Sequence, residues 1–224
     1  NKQYRIMIVS HDNMIYNLNK KGEKVNGWRY KQTSNNINIP PKHFVVNEND
    51  YILNGTNNNT TKLLARNGSD RVIFKDSQSF ISKVNISKEG KLYAITNENK
   101  LWTANTNGDT EIIELKDLNN ETNILAYKNG YYITNKNTVS YINNIEDETL
   151  KLVLDEPIKK LSLVKEYLAI TTETSLYLIK DKKIIDGFPI DSDGLFNISD
   201  INNNGKTNII NIRNGFIYNY EITD

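Results

Sequence analysis

Along the chain, short apolar runs in which every second residue faces one way are cut by small polar breaks. Leu92–Trp102 shows the unit. An apolar run ends in Ile95-Thr96, Asn97-Glu98-Asn99 follows, and Lys100-Leu101-Trp102 starts a second run. Two half-buried strands joined by a tight polar turn form a β-hairpin. The same phrase recurs around the turns His11–Asn13, Asn135–Asn137, Thr172–Thr174 and Arg213–Gly215. A sixth copy carries a longer loop, with Tyr51-Ile52-Leu53 before Asn54–Thr61 and Lys62-Leu63-Leu64 after it.

The aliphatic residue after each turn marks the repeat: Ile15, Leu63, Leu101, Val139, Leu176 and Ile217, at intervals of 48, 38, 38, 37 and 41. Each hairpin has a strand signal before it (Phe80–Ile86, Thr122–Tyr127, Ile158–Val164, Leu195–Ser199) and one after it (Glu23–Trp28, Arg71–Phe74, Glu111–Leu115, Leu150–Leu154, Ile184–Ile190). Gly22, Gly68 and Gly108 stand where the third strand turns into the fourth, a place that favours positive φ. No window carries apolar residues at helical spacing between caps. A period near 40 residues built only of strands predicts an all-β fold, a β-propeller of about six repeat hairpins.

The chain reads as one propeller domain over residues 1–224. It opens in mid-phrase, since Asn1–Ile6 aligns with Asn204–Ile209, and its last unit stops at Asp224 before a fourth strand. The terminal blades are therefore expected to be incomplete, and the chain to be a piece of a longer polypeptide.

Composition narrows the function classes. The formal net charge is +1, from 28 basic and 27 acidic residues scattered along the chain. That leaves no field to draw in nucleic acid, so none is expected as a partner. Cysteine is absent, which excludes disulfides, thiol catalysis and thiolate metal sites. No apolar run reaches the length of a membrane-spanning helix. Seven Asn-x-Ser/Thr matches occur, among them Asn54, Asn58, Asn67, Asn120 and Asn197. Compositional bias toward Asn, Lys and Ile explains them better than glycosylation does.

Met14–Trp28 (MIYNLNKKGEKVNGW) resembles the repeat of quinoprotein-like bacterial β-propellers, the PQQ-type repeat. There a strand with a hydrophobic-Tyr pair leads through a Gly turn to a Trp that packs between blades. Lys183–Ile190 and Ile209–Tyr220 are similar to the same repeat. Trp28 matches the docking Trp, and Phe74 and Phe188 stand in at comparable places. The resemblance implies the propeller fold, and it lends weight to a periplasmic or extracellular binding protein, since the family includes a lipoprotein that assists outer-membrane protein assembly.

Candidate chemistry is sparse. Asp200–Asn208 places oxygen side chains at loop positions 1, 3, 5 and 9 with Gly205 at position 6, the spacing of a calcium loop. Only one of these is a carboxylate, and Asn211 occupies position 12, so a solvated Asx-rich turn is the preferred reading. Asp191 and Asp193 lie just upstream and read as a tight connection between blades. His11 falls in a turn and His43 at a strand start, neither with the partners of a hydrolase triad. Tyr16, Trp102, Tyr141, Tyr177 and Tyr218 recur beside the aliphatic marker and are expected to pack between blades, because a repeated position has a repeated structural job. No catalytic, cofactor-binding or metal residue is singled out, and no cofactor is expected. The reading is a non-catalytic binding or scaffold propeller of an exported bacterial protein, taking a protein or carbohydrate ligand. The alternative is a propeller enzyme, quinone-dependent or carbohydrate-active.

Overall fold

The structure is a computed structural model that describes residues 4–56, 61–74, 79–115, 118–119, 121–143 and 148–222. Among these there is no helix, and so none long and apolar enough to cross a membrane. The strand registers established among the described residues are antiparallel. The opening residues Asn1–Gln3, the stretch 57–60 of the long loop, and the sequons at Asn58 and Asn120 lie outside the described residues. The fold is all-β, built of propeller-type sheets. By contacts the chain divides into two compact units, Asn1–Asn120 with Ala126–Asn129, and Glu121–Leu125 with Gly130–Asp224.

The first unit holds three sheets. β1 (Ile6–Val9) pairs with β2 (Ile15–Leu18). The second sheet runs β3 (Ile37–Val46), β4 (Asn49–Thr56), β5 (Thr61–Leu64), β6 (Asp70–Ile73). The third runs β7 (Asn85–Ile86), β8 (Leu92–Ile95), β9 (Leu101–Ala104), β10 (Thr110–Ile113). The second unit holds β11 (Ile124–Tyr127), which the boundary divides, with β12 (Gly130–Asn135), β13 (Thr138–Asn143) and β14 (Glu148–Val153). Next come β15 (Lys160–Val164), β16 (Tyr167–Thr171), β17 (Ser175–Lys180) and β18 (Lys183–Ile184), with β19 (Ile190–Asp191) also on β17. The last sheet has three strands, β20 (Phe196–Ser199), β21 (Asn208–Arg213) and β22 (Phe216–Glu221).

Five of the hairpins form where the polar breaks place them; in the sixth the loop expected over Asn54–Thr61 is shorter, because β4 runs on to Thr56 and β5 starts at Thr61, with Gly55 opposite Thr61. Ile95 opposes Leu101, and Thr171 opposes Leu176. Arg213 opposes Phe216 across Asn214-Gly215, both at positive φ, the two-residue turn that matches strand twist. Gly22, Gly68 and Gly108 all have positive φ. Two of these turns share one construction: the Asn19 and Asn105 side-chain oxygens each accept two backbone N–H bonds across the turn. Two outer-strand expectations differ. Glu23–Trp28 contributes one bridge, Leu18 to Lys24, and then leaves as a loop. Ile184–Ile190 is split into β18 and β19 by Gly187-Phe188-Pro189, where proline has no N–H for the ladder.

The cores lie between successive sheets. In the first unit, Ile15, Ile52 and Leu64 join the first and second sheets. Leu53, Leu63 and Phe74 meet Leu92, Ala94 and Trp102 between the second and third. In the second unit, Leu176 and Leu178 meet Ile198 and Ile209. An aromatic seals each of these joints: Trp28, Phe74 (edge-on to Trp102, 5.4 Å between centroids) and Phe188.

The repeat markers diverge at one place. Ile15, Leu63, Leu101, Val139 and Leu176 are 0 % exposed, while Ile217 is 72 % exposed, with Phe216 and Tyr218 beside it. The recurring aromatics diverge in the same way. Trp102 and Tyr177 are buried, Tyr16 donates from its hydroxyl to Asp12, Tyr141 tilts against Tyr132 in its own sheet, and Tyr218 is exposed. A position is buried only where another sheet lies against it, and β22 is open to solvent on both faces over Phe216–Asn219, since consecutive residues there alternate sides and all are exposed. Ile6 and Ile8 on β1, and Tyr4 just before it, are likewise exposed.

Candidate functional site

Alternation on β1 turns Met7 to the face opposite Ile6 and Ile8, and Arg5 lies just before the strand. Met7 stands across from Asn17 on β2, so this inner face carries Met7, Asn17 and Ile15. The second sheet approaches it with the hairpin β3–β4, turned at Asn47-Glu48, both at positive φ. There His43 opposes Ile52 and Val45 opposes Asp50. His43 and Asp50 are therefore diagonal neighbours on one face, and the His43 ring nitrogen meets the Asp50 carboxylate at 2.6 Å.

Between these walls lies a cleft of about 440 Å³, lined by both charged and apolar side chains. Its apolar part is Met7, Val25, Trp28 and Ile52, and its polar part includes Arg5, His43, Asp50 and Arg66. The volume falls within the ~300–1,000 Å³ typical of ligand-holding clefts.

The loop after β2 positions Trp28. Val25 N–H donates to Asn17 O (2.9 Å), Gly27 takes a positive φ, and the indole Nε1–H donates to Ile15 O at 2.6 Å. Arg29 N–H then docks on Asn67 O, at 2.6 Å, in the β5–β6 turn. Gly68 of that turn lies flat on the indole; a Cβ there would come within 2.9 Å of the ring. Trp28 is thus held by a hydrogen bond on its edge and a glycine on its face.

The rim is held from behind. Arg71 stacks on Tyr51, 4.5 Å from the ring centroid, and donates to Asp50 O and to Asn49 Oδ1, both at 3.0 Å. Arg66 meets the Asp50 carboxylate from the front at 3.7 Å. On the inner wall Asn17 is 4 % exposed, and its Oδ1 accepts no hydrogen bond among the described residues.

Elsewhere, the Asp200 carboxylate accepts from Asn204 N–H and Gly205 N–H, and Asn204 Oδ1 accepts from Lys206 N–H. Glu221 on β22 takes Lys206 Nζ at 2.6 Å, which holds its carboxyl below the usual range. These oxygens face backbone donors of the loop, as in an Asx-turn. Asp191 pairs with Arg213 at 2.6 Å, and Asp193 accepts from Gly215 N–H, so the two carboxylates do not join the loop. Among the described residues no three acidic, His or Cys side chains gather as metal ligands. His11 stays in its exposed turn. Asn54 is 0 % exposed, which removes it as a glycan acceptor, and Asn67 is engaged by Ser69 within its turn.

The sequence reading passed over this cleft. The sequence places His43 at a strand start with no partner at a motif position; it lies inside β3 instead, and Asp50 is its partner. The available signal was Val46-Asn47-Glu48-Asn49, a hairpin turn that folds His43 back on Asp50.

No family model matches the chain, and no curated protein does. Among solved structures, BBS1N in complex with ARL6DN aligns with a TM-score of 0.63 at 11 % identity, over 97 % of this chain and 73 % of that one. BamB from Moraxella catarrhalis aligns with a TM-score of 0.54 at 16 % identity, over 92 % of this chain and 66 % of that one. PorZ, a surface component of the type-IX secretion system of Porphyromonas gingivalis, aligns with a TM-score of 0.54 at 13 % identity, over 98 % of this chain but only 31 % of that one. At these identities the likeness is one of fold, and the fold it supports is the β-propeller.

Proposed function

We propose that this chain is a non-catalytic propeller module of an exported bacterial protein, working outside the cytoplasm and binding a protein partner. The observation that carries the reading is the cleft between the first two sheets of the first unit. Its groups are of the recognition kind: guanidiniums, an amide, and an indole held in place on an apolar floor. Its one carboxylate is occupied by His43 and Arg66. A hydrolytic site of the carbohydrate-active kind uses a pair of carboxylates across the bond, and among the described residues Asp50 is the acidic side chain that lines this cleft. Partner binding also suits the fold, since BBS1N is seen with ARL6DN. PorZ, as a bacterial surface component, lends support to an extracytoplasmic setting.

The test is a turnover screen on the purified chain, with pyrroloquinoline quinone, calcium and a redox dye in one arm and a panel of oligosaccharides in the other. No turnover is expected in either. Turnover that disappears in Asp50→Asn would overturn the reading and make the cleft an active site.

A further inference from the structure

Asparagine followed by glycine occurs seven times, at Asn26, Asn54, Asn67, Asn107, Asn129, Asn204 and Asn214. Such a pair can modify itself. With no Cβ on the glycine, its amide nitrogen can reach the Cγ of the asparagine before it. Attack needs a nitrogen able to shed its proton and a side chain free to swing over it. An N–H held in a hydrogen bond must first give that bond up.

The fold protects six of the seven. Asn54 and Gly55 are buried within β4, and Gly130 is buried at the start of β12. In four turns the glycine N–H is already donated: Gly68 to Ala65 O at 2.8 Å, Gly108 to Asn105 O at 3.2 Å, Gly205 to Asp200 Oδ2 at 2.9 Å and Gly215 to Asp193 Oδ2 at 3.3 Å. The side-chain oxygens of Asn67 and Asn204 are engaged as well, by Ser69 N–H and Lys206 N–H. Asn26-Gly27 differs. Both residues are exposed, and neither the Asn26 side-chain amide nor the Gly27 N–H has a hydrogen-bond partner among the described residues. A Cβ at Gly27 would meet nothing within 4 Å. The pair lines the cleft and forms the centre of the turn that Trp28 N–H closes on Val25 O.

We infer that Asn26 is a self-modification site of the folded chain, and that its conversion alters the cleft. Gly27 N bonds to Asn26 Cγ, the Cγ–Nδ2 bond breaks, and ammonia leaves with the proton that Gly27 N gives up. Water then opens the five-membered imide. Opening at Cγ gives aspartate, and opening at the main-chain carbonyl gives isoaspartate. Either product sets a new carboxylate at residue 26, in the cleft lining. Isoaspartate also adds one carbon to the main chain of the turn that carries the indole to Ile15 O.

The experiment incubates the folded chain in mildly alkaline buffer beside the same chain in urea. Trypsin then releases residues 25–29 as one peptide, cut after Lys24 and Arg29, and mass spectrometry follows the exchange of amide for acid at each Asn-Gly pair. In the folded chain Asn26 should convert at least about fivefold faster than Asn107, Asn204 or Asn214, the factor supplied by one hydrogen bond that must be broken. That lead should vanish in urea. Asp200→Ala frees the Gly205 N–H and should speed conversion at Asn204. Tryptophan emission should drift in step with Asn26 conversion and stay constant in Asn26→Gln. Asn26 converting no faster than those three, the same lead in urea, no acceleration at Asn204 in Asp200→Ala, or emission indifferent to conversion would each overturn the inference.

Discussion

Leu63 and Ile217 occupy the same repeat position, yet one is 0 % and the other 72 % exposed. Truncating each to Ala removes the same amount of hydrocarbon from the two sites. At Leu63, three carbons beyond Cβ leave the cluster with Leu53, Phe74, Leu92 and Trp102. Transfer alone is worth about 2.4 kcal/mol at ~0.8 kcal/mol per methylene, and the cavity left behind raises the cost toward the ~2–5 kcal/mol seen for buried Leu→Ala. At Ile217 less than a third of the side chain is covered, so the loss is about 0.5 kcal/mol. Urea unfolding followed by far-ultraviolet dichroism reads both. With a slope of ~2–3 kcal/mol per molar urea, Leu63→Ala should lower the midpoint by about 1–2 M and Ile217→Ala by about 0.2 M. Tryptophan emission gives a second reading for Leu63, because Trp102 is in its cluster. Equal midpoint shifts would refute the argument that burial at this position comes from the sheet lying against it.

Gly68→Ala should destabilise the first unit by about 1–3 kcal/mol, because the residue has φ +82° and its Cβ would meet Trp28; a shifted Trp28 emission and a lower melting temperature check it. Glu156 accepts hydrogen bonds from Thr172 and Thr174, which lowers its pKa to about 2. A depressed folded-state pKa stabilises above the unfolded value near 4.5 and is lost as pH falls toward 2. Thermal melts should therefore show a stability decline between those values that is reduced in Glu156→Gln. Millimolar calcium should leave the melting temperature unchanged, since the Asp200 loop oxygens face backbone donors; a rise would restore the cation reading. Trp28→Phe should cost about 1 kcal/mol by removing the Nε1–H bond to Ile15 O, measured by urea midpoint.

Hairpin positions and the repeat were legible in the sequence because they are local. A polar break with a residue that tolerates positive φ sets the turn, and period-two alternation sets which side chains share a face. That is why Ile95 meets Leu101 and Arg213 meets Phe216 as the pattern requires. The resemblance to the quinoprotein-like repeat took Trp28 as a sealing aromatic, and it packs at the joint of two sheets. Tertiary structure decided what local pattern cannot carry. Whether Ile15 or Ile217 is buried depends on a second sheet, not on the strand that bears it. The cleft depends on three separate segments, since Arg5, the His43–Asp50 pair and Arg66 come together only when β1, the β3–β4 hairpin and the β5–β6 turn pack around Trp28. Chain separation leaves no trace of such a meeting in a single sequence, because each residue there is also an ordinary surface residue of its own strand or turn.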